Sequence, residues 1–188
     1  MISLTVDGVE REFSGPPETP LLRFLRDEAG VTSVKDGCSP QAACGCCTVE
    51  LNGKAVLSCV TPVSKADGGE VLTVAGLETH AKEAFVAGFR ECGGVQCGFC
   101  IPGIVTGARN LLRTKPEPSR EDVARGLNQH LCRCTGYQKI IDAILHAAKS
   151  LRDKTVAAVN GHTARSARAS RNTRSRTPCS AGGATRPT

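Results

Sequence analysis

The stretch CSPQAACGCCTVELNGKAVLSC, residues 38–59, holds five of the eleven cysteines in this chain of 188 residues. It contains the dipeptide Asn52-Gly53 between two short apolar runs, a pattern that predicts a β-hairpin. Thiolates from one tight loop and from a neighbouring strand can surround two irons bridged by sulfides, as in a plant-type 2Fe-2S site. The loop spacing is C-x5-C-x2-C, one residue longer than the usual C-x4-C-x2-C. The predicted ligands are Cys38, Cys44, Cys47 and Cys59.

A second group of four cysteines follows further along the chain. The segment CGFC, residues 97–100, precedes a predicted helix that begins at Pro102, and CRC, residues 132–134, lies between two predicted helices. Helix N-termini and loop N–H groups suit the negative charge of a thiolate-ligated cluster. A zinc ion held by four thiolates would also satisfy this group, although a CxC half-site is less usual for structural zinc. The predicted ligands of a second 2Fe-2S cluster are Cys97, Cys100, Cys132 and Cys134.

Two hairpins around one short helix are predicted for residues 1–76. Apolar residues alternate with polar ones from Ile2 to Val6, and Asp7-Gly8 predicts a tight turn before a returning strand. Thr19 is expected to cap a helix whose first residue is Pro20. These elements predict a small α+β unit of the β-grasp kind.

The spacing of apolar residues changes to a helical period from about Leu77. Pro102 is expected to open one helix, and Ser119-Arg-Glu-Asp122 resembles a capping box ahead of another. Residues 140–151 form the clearest amphipathic pattern in the chain. Four helices joined by short links predict an all-α bundle over residues 77–154.

The formal net charge of +6 comes from the end of the chain. There are 24 Lys and Arg against 18 Asp and Glu; six of the Arg and none of the acids lie in residues 155–188, which leaves 18 of each in residues 1–154. The neutral charge of residues 1–154 and the low aromatic content of the chain, 3%, argue against a nucleic-acid partner. Residues 155–188 are expected to form a basic, disordered tail. The abrupt change in composition after Val159 is consistent with a shortened linker or a shifted reading frame.

Neither a membrane span nor an export signal is expected. No apolar stretch approaches the roughly 18 residues that a spanning helix needs, and the N-terminus lacks a basic region followed by an apolar run. The expected location is the cytoplasm, where clustered thiols more often bind metal than form stable disulfides.

The remaining candidate residues have structural interpretations. Cys46 is interpreted as a small residue beside the first cluster, with replacement of Cys44 or Cys47 as ligand kept as an alternative. Cys92 is expected to pack at a helix end, and Cys179 has no assigned partner. The chain lacks the GxGxxG, GxxxxGK[ST], GxSxG and HExxH motifs, so no catalytic residue is predicted. The histidines show no paired spacing and are interpreted as structural or exposed: His80, His130, His146 and His162.

Four segments around the cysteines give a more specific indication. They are TPLLRFLRDEAGVTSVKDGC (19–38), CGCCTVELNGKAVLSC (44–59), GVQCGFCIPG (94–103) and LCRCTGY (131–137). With them the chain resembles, from about Ile2 to Leu151, the iron–sulfur subunit or N-terminal iron–sulfur region of the xanthine dehydrogenase and aldehyde oxidase family of molybdenum hydroxylases. The resemblance implies a plant-ferredoxin-like β-grasp domain followed by an all-α four-helix-bundle 2Fe-2S domain.

The resemblance also implies partners and a direction of electron flow. Electrons would leave a molybdopterin cofactor on a large subunit, pass through the helical-domain cluster and then the ferredoxin-like one, and reach FAD on a third subunit or another acceptor. Gln96 and Cys134 would lie near the pterin. The chain departs from the family's pattern in the longer loop and at four positions without losing a ligand: Ala42 and Ala43 replace Gly, Cys46 replaces Ala, and His130 replaces Asn.

Two hypotheses from other functional classes remain open at this point. The chain could be a stand-alone two-cluster ferredoxin-like carrier or redox sensor without molybdenum partners. It could also be a zinc-stabilised binding module with a basic arm.

Overall fold

A mixed five-stranded sheet forms the first part of the protein, for which a computed structural model describes residues 1–154. The strand order is β2-β1-β5-β3-β4, with β1 and β5 parallel and the other neighbours antiparallel. The strands are β1 (Ile2–Val6), β2 (Val9–Phe13), β3 (Thr48–Leu51), β4 (Lys54–Leu57) and β5 (Glu70–Leu72). Both predicted hairpins are present, and their turn residues Asp7-Gly8 and Asn52-Gly53 all have positive φ, as tight hairpin turns of this type require.

A short helix, α1 (Leu21–Arg23), continues as a π-helical turn over Phe24–Glu28. The prediction that Thr19 caps this helix is wrong, because no side-chain hydrogen bond caps its N-terminus. Instead, its first two N–H groups donate to the backbone carbonyls of Thr61 and Ser58, at 2.7 and 2.9 Å. A tertiary contact with the segment after β4 therefore replaces the local cap.

Four helices follow the sheet: α2 (Thr79–Glu91), α3 (Ile101–Thr114), α4 (Arg120–Gly126) and α5 (Gln138–Asp153). The predicted capping box opens α4, with Ser119 Oγ accepting from Asp122 N at 3.2 Å and Ser119 N donating to Asp122 Oδ2 at 2.8 Å. Sheet and helices together make an α+β fold, as predicted. Short 3₁₀ turns at Val63–Ala66 and Val74–Gly76 complete the connections.

Buried apolar residues form two separate cores, one in each part of the chain. Cys47 and Cys59 belong to the core under the sheet, whereas Cys44 and Cys46 pack with the core of the helices. Adjacent residues of the cysteine loop thus contribute to opposite cores. This places the first cysteine group at the boundary between the two parts of the molecule.

The two parts come into close contact where α3 passes the loop before β3. At Gly103, a Cβ atom would lie 2.3 Å from the carbonyl oxygen of Gly45, so only glycine permits this approach. The backbone N–H of Leu131 also donates to the carbonyl of Cys44 at 2.9 Å. These contacts bring the two cysteine groups to one region of the molecule.

Within residues 1–154, none of the helices has the length and apolar character needed to cross a membrane. The basic tail predicted for residues 155–188, together with His162 and Cys179, lies outside the described residues.

Candidate metal centres

Two thiol–thiol contacts link the four predicted ligands of the first cysteine group in pairs. Cys38 contacts Cys44, and Cys47 contacts Cys59. Cys38 is partly exposed, while the other three predicted ligands are buried. The hairpin formed by β3 and β4 makes this arrangement possible, because it returns the chain so that Cys59 follows β4 next to the loop that precedes β3.

Backbone N–H groups of the loop point at these sulfurs. The N–H of Ala43, aided by those of Cys44 and Gln41, lowers the pKa of Cys38 to about 7 despite partial burial. Burial raises the pKa of Cys59 to about 12, and the N–H of Ala42 acts against that rise. A loop that donates several N–H groups to thiols is suited to hold thiolates.

The longer loop closes through left-handed backbone at residues other than glycine. Ser39 and Ala42 have φ of 43° and 54°, a region that residues with a side chain adopt at some cost. Asp36 holds the first of these turns, since Ser39 N donates to Asp36 Oδ1 at 2.9 Å. Gly45 also has positive φ, at 67°, and a Cβ atom there would lie 2.2 Å from the carbonyl oxygen of Gln129.

The second cysteine group is also made of two sulfur pairs. Cys97 Sγ lies 3.6 Å from Cys134 Sγ, and Cys100 contacts Cys132. Cys100 and Cys132 are buried, whereas Cys97 and Cys134 are exposed. All four sequence-predicted ligands of this group are therefore brought together, with one pair at the surface and one inside.

The pKa values within the second group are spread apart. Burial, followed by the neighbouring Cys132, raises the pKa of Cys100 to about 12. Burial also acts to raise the pKa of Cys132, but the Thr135 hydroxyl and nearby N–H groups outweigh it and lower that pKa. The contact with Cys97 raises the pKa of Cys134. Metal binding would have to displace the protons of the thiols with raised pKa values.

Tyr137 holds the CRC loop in shape, a role that the sequence reasoning missed. Its hydroxyl accepts a hydrogen bond from Cys132 N at 2.9 Å and donates one to the carbonyl of His130 at 3.1 Å. Its backbone is left-handed, with φ of 69°, directly before α5. The Thr135 hydroxyl lies 3.2 Å from Cys132 Sγ. The tyrosine at the end of the segment LCRCTGY is the sequence feature that could have indicated this role.

Gln96 and Cys134, both of which the resemblance places near a pterin, are in direct contact. Gln96 Nε2 donates to the carbonyl of Cys134 at 3.0 Å, and both residues are exposed. Three large apolar side chains are exposed in or next to the same loops: Val95, Phe99 and Leu131 have exposed fractions of 48%, 45% and 58%. The surface around the Cys97–Cys134 pair is therefore apolar as well as thiol-bearing.

His130, which stands where the resemblance leads one to expect Asn, is buried against Gly45 and Gly107. Its Nε2 lies 3.3 Å from Thr48 Oγ1. Burial lowers the pKa of His130, and the carbonyls of Gly103 and Gly126 partly oppose this effect. The structural interpretation of this histidine agrees with its burial.

A cavity of about 230 Å³ separates the cysteine groups; it is bordered by cysteines of both groups, by Phe99 and by Leu131. Within residues 1–154, no three His, Cys, Asp or Glu side chains converge as ligands of a single metal ion would. The thiols instead form two pairs in each group, and a 2Fe-2S cluster takes two ligands on each of its two irons. The residues present therefore fit two-iron clusters.

The comparisons with known proteins agree with this architecture. The 2Fe-2S iron-sulfur cluster binding domain family matches residues 4–75, and the [2Fe-2S] binding domain family matches residues 73–145. Together with the fold, these matches define the class of protein: a chain with two consecutive iron–sulfur binding domains.

Individual relatives narrow the class to one family. The nicotinate dehydrogenase small FeS subunit of Eubacterium barkeri is 39% identical over 149 residues, which cover 79% of this chain and 94% of that subunit. The aldehyde oxidoreductase of Megalodesulfovibrio gigas is 40% identical over 80% of this chain, but the match spans only 17% of that longer protein. The crystal structure of quinoline 2-oxidoreductase from Pseudomonas putida 86 matches with a TM-score of 0.74 and 40% identity, over 81% of this chain and 95% of that one.

The chain belongs to the family of small iron–sulfur subunits of molybdenum hydroxylases, which includes xanthine and nicotinate dehydrogenases. It is an electron-transfer subunit of an oxidoreductase of this type.

Proposed function

We propose that the chain holds two 2Fe-2S clusters and that each iron takes one of the observed sulfur pairs. The four sulfur pairs are the observation that carries this assignment, because two thiolates are needed for each of four irons. When bound, the clusters supply sites that accept and release one electron at a time. The proposed pairs are Cys38 with Cys44, Cys47 with Cys59, Cys97 with Cys134, and Cys100 with Cys132.

The proposed domain boundaries follow the two hydrophobic cores. Residues 1–76 would form the ferredoxin-like domain around the first group, and residues 77–154 a four-helix-bundle domain around the second. The separation of the cores supports this division. Burial of Cys44 in the helical core would join the first cluster to the second domain.

The second group would be the entry point for electrons. The thiols of Cys97 and Cys134 are exposed, and the side chains of Val95, Phe99 and Leu131 would exclude water when a partner covers them. That partner is proposed to be a molybdopterin-binding large subunit, with Gln96 and Cys134 nearest to the pterin.

The first group would deliver the electrons. Three of its thiols are buried, and the partly exposed Cys38 offers the shortest way out, towards an FAD-binding subunit or another acceptor. The reaction on the partner would be the oxidative hydroxylation of an aldehyde or N-heterocycle by water, which releases two electrons. The residues of this chain would bind the two clusters and shield them from solvent, and none of them is assigned a catalytic role. The proposed location is the cytoplasm, since eight ligand thiols must stay reduced.

Iron analysis and electron paramagnetic resonance test the assignment. The full chain should contain about four irons, two for each cluster, and its reduced form should show two distinct 2Fe-2S signals. Cys100→Ser should abolish one signal, and Cys59→Ser the other. Cys92→Ala, which changes a cysteine outside both groups, should leave both signals intact. A colourless protein that contains zinc would contradict the proposal.

Copurification tests the partners separately. A stable complex with a molybdenum-containing large subunit supports the proposed place in a hydroxylase. Isolation of the iron-loaded chain alone, with no molybdenum protein encoded nearby, would favour the stand-alone carrier.

A further inference from the structure

An apolar groove of about 580 Å³ lies between α2 and α3. Four buried side chains border it, those of Leu77, Phe85, Phe89 and Val105. Val86 of α2 also borders the groove and is 50% exposed. Exposed apolar surface that gathers in one place on a protein typically marks an interaction site.

Two cations stand beside this apolar lining. Lys82, Val86 and Arg90 follow each other four residues apart on α2, so they share one face of the helix and span about 12 Å along it. Arg90 pairs with Glu91 at 3.0 Å, whereas Lys82 forms no ion pair within residues 1–154. The described lining of the groove contains no acidic side chain. Its charge therefore complements an acidic partner.

A helix suits this groove better than an extended chain does. Two of its walls are helices, whose backbone N–H and C=O groups are bonded within each helix. An extended segment would bury its own backbone groups there without partners, whereas a helix satisfies them internally. An amphipathic helix would place apolar side chains against Phe85 and Val86 and acidic ones near Lys82 and Arg90.

Charge argues against two occupants from this chain itself. Residues 155–188 contain six Arg and no acid, so they would bring positive charge to Lys82 and Arg90. A second copy that packed α2 against α2 would place cation against cation, whether the two helices ran parallel or antiparallel. A separate acidic partner is the occupant that remains.

The groove is continuous with the surface around the exposed thiol pair. Val95, which is 48% exposed, borders the groove and also lies next to the loop that carries Cys97. We propose that the groove binds an acidic amphipathic helix of the molybdopterin-binding subunit, with Val86 at the centre of the contact and Lys82 and Arg90 at its two ends. This inference rests on the proposed function, because it assigns the groove to the partner proposed for the thiol pair.

The first test compares Val86→Glu with Val9→Glu in the full chain, coexpressed with the molybdenum-containing large subunit. Val9 is a matched control, since it is 51% exposed and lies on β2, outside the groove. The measurement is the molybdenum retained per iron after the complex has been diluted and isolated again. Val86→Glu should lower this ratio at least about tenfold, because it puts a negative charge into the centre of the contact. Val9→Glu should leave the ratio at the wild-type value.

The second test concerns charge alone. Lys82→Glu should weaken the complex, Lys82→Arg should preserve it, and Lys149→Glu, the same change at an exposed position of α5, should have no effect. Higher salt should weaken the wild-type complex more than the Lys82→Gln complex. Electron paramagnetic resonance of each variant should show both 2Fe-2S signals. If Val86→Glu loses a signal through misfolding, the variants of the exposed Lys82 decide the question.

Three results would overturn the inference. They are a wild-type molybdenum ratio in both Val86→Glu and Lys82→Glu, equal losses in these variants and their controls, and a dimer of the isolated chain that Val86→Glu dissociates, which would make a second copy the occupant. The wild type separates the inference from its foundation. If the wild type retains no molybdenum subunit, the proposed partner fails and the inference fails with it; if it retains one, the variants judge the groove alone.

Discussion

Arg109 Nη1 lies 2.6 Å from Glu50 Oε2, and this ion pair joins β3 of the sheet to α3 of the helices. The Glu50 side chain is only 3% exposed, and its Oε1 has no hydrogen-bond partner in the described part of the chain. A buried carboxylate with one charged partner depends strongly on that partner.

Arg109→Ala is expected to lower the free energy of unfolding by about 3 kcal/mol, because it leaves the Glu50 carboxylate buried and unpaired. Arg113→Ala is a matched control on the same helix, since Arg113 donates, within residues 1–154, to the carbonyl of Gly53 alone; its cost should be about 1 kcal/mol. Denaturant unfolding measures both. Equal costs for the two variants would contradict a special role for the ion pair. Replacing both partners, Glu50→Leu with Arg109→Met, should restore most of the stability.

Gly107→Ala should destabilise the protein although alanine favours a helix by about 1 kcal/mol over glycine. A Cβ atom at this position of α3 would lie 2.7 Å from Cε1 and 2.9 Å from Nε2 of the His130 ring. His130→Asn should relieve the clash, so that Gly107→Ala becomes neutral or stabilising in that background. Thermal unfolding of the two single variants and the double variant checks this. Additive effects would show that the two residues do not interact.

Stability should decrease as the pH falls below about 6.5. Burial lowers the pKa of His130 in the folded protein, whereas the unfolded chain binds a proton near pH 6.5. The contribution of neutral His130 is therefore present above that pH and is lost below it. His130→Asn should make the guanidinium unfolding midpoint less dependent on pH between 7.5 and 5.5. The same slope in wild type and variant would assign the pH dependence to other groups.

Tyr137→Phe should speed the loss of iron from the second cluster. The substitution removes one acceptor for Cys132 N and one donor to the His130 carbonyl, which loosens the CRC loop without altering a ligand. Release of iron to a chelator, followed by the decay of the two paramagnetic signals, measures this effect. The signal of the first cluster should decay at the wild-type rate and serves as the internal control.

Local sequence patterns predicted much of the fold. The two Asx-Gly turns, the capping box at Ser119 and the four helices follow from short-range rules, and the structure contains all of them. The cap at Thr19 failed because carbonyls distant in the sequence satisfy the first N–H groups of α1. The residues next to the helix do not indicate that a tertiary contact takes the place of the cap.

The cysteine spacing predicted which thiols group together but not how the groups face each other. His130 packs against Gly107, and the N–H of Leu131 donates to the carbonyl of Cys44. These contacts join residues that are distant in sequence, so neither the periodicity of apolar residues nor the spacing of cysteines indicates them. The sequence predicted that Cys46 is a small residue beside the first cluster, but it did not indicate that Cys46 is buried in the core of the helices.

The close approach of Gly103 to Gly45 has a kinetic consequence. Backbone contact joins α3 to the cysteine loop, the Arg109–Glu50 ion pair joins α3 to β3, and the Leu131–Cys44 hydrogen bond joins the two cysteine groups, so the two sides of the cavity are directly connected. An electron that crosses from one side to the other would not wait for a domain to swing. The crossing rate should therefore be insensitive to solvent viscosity.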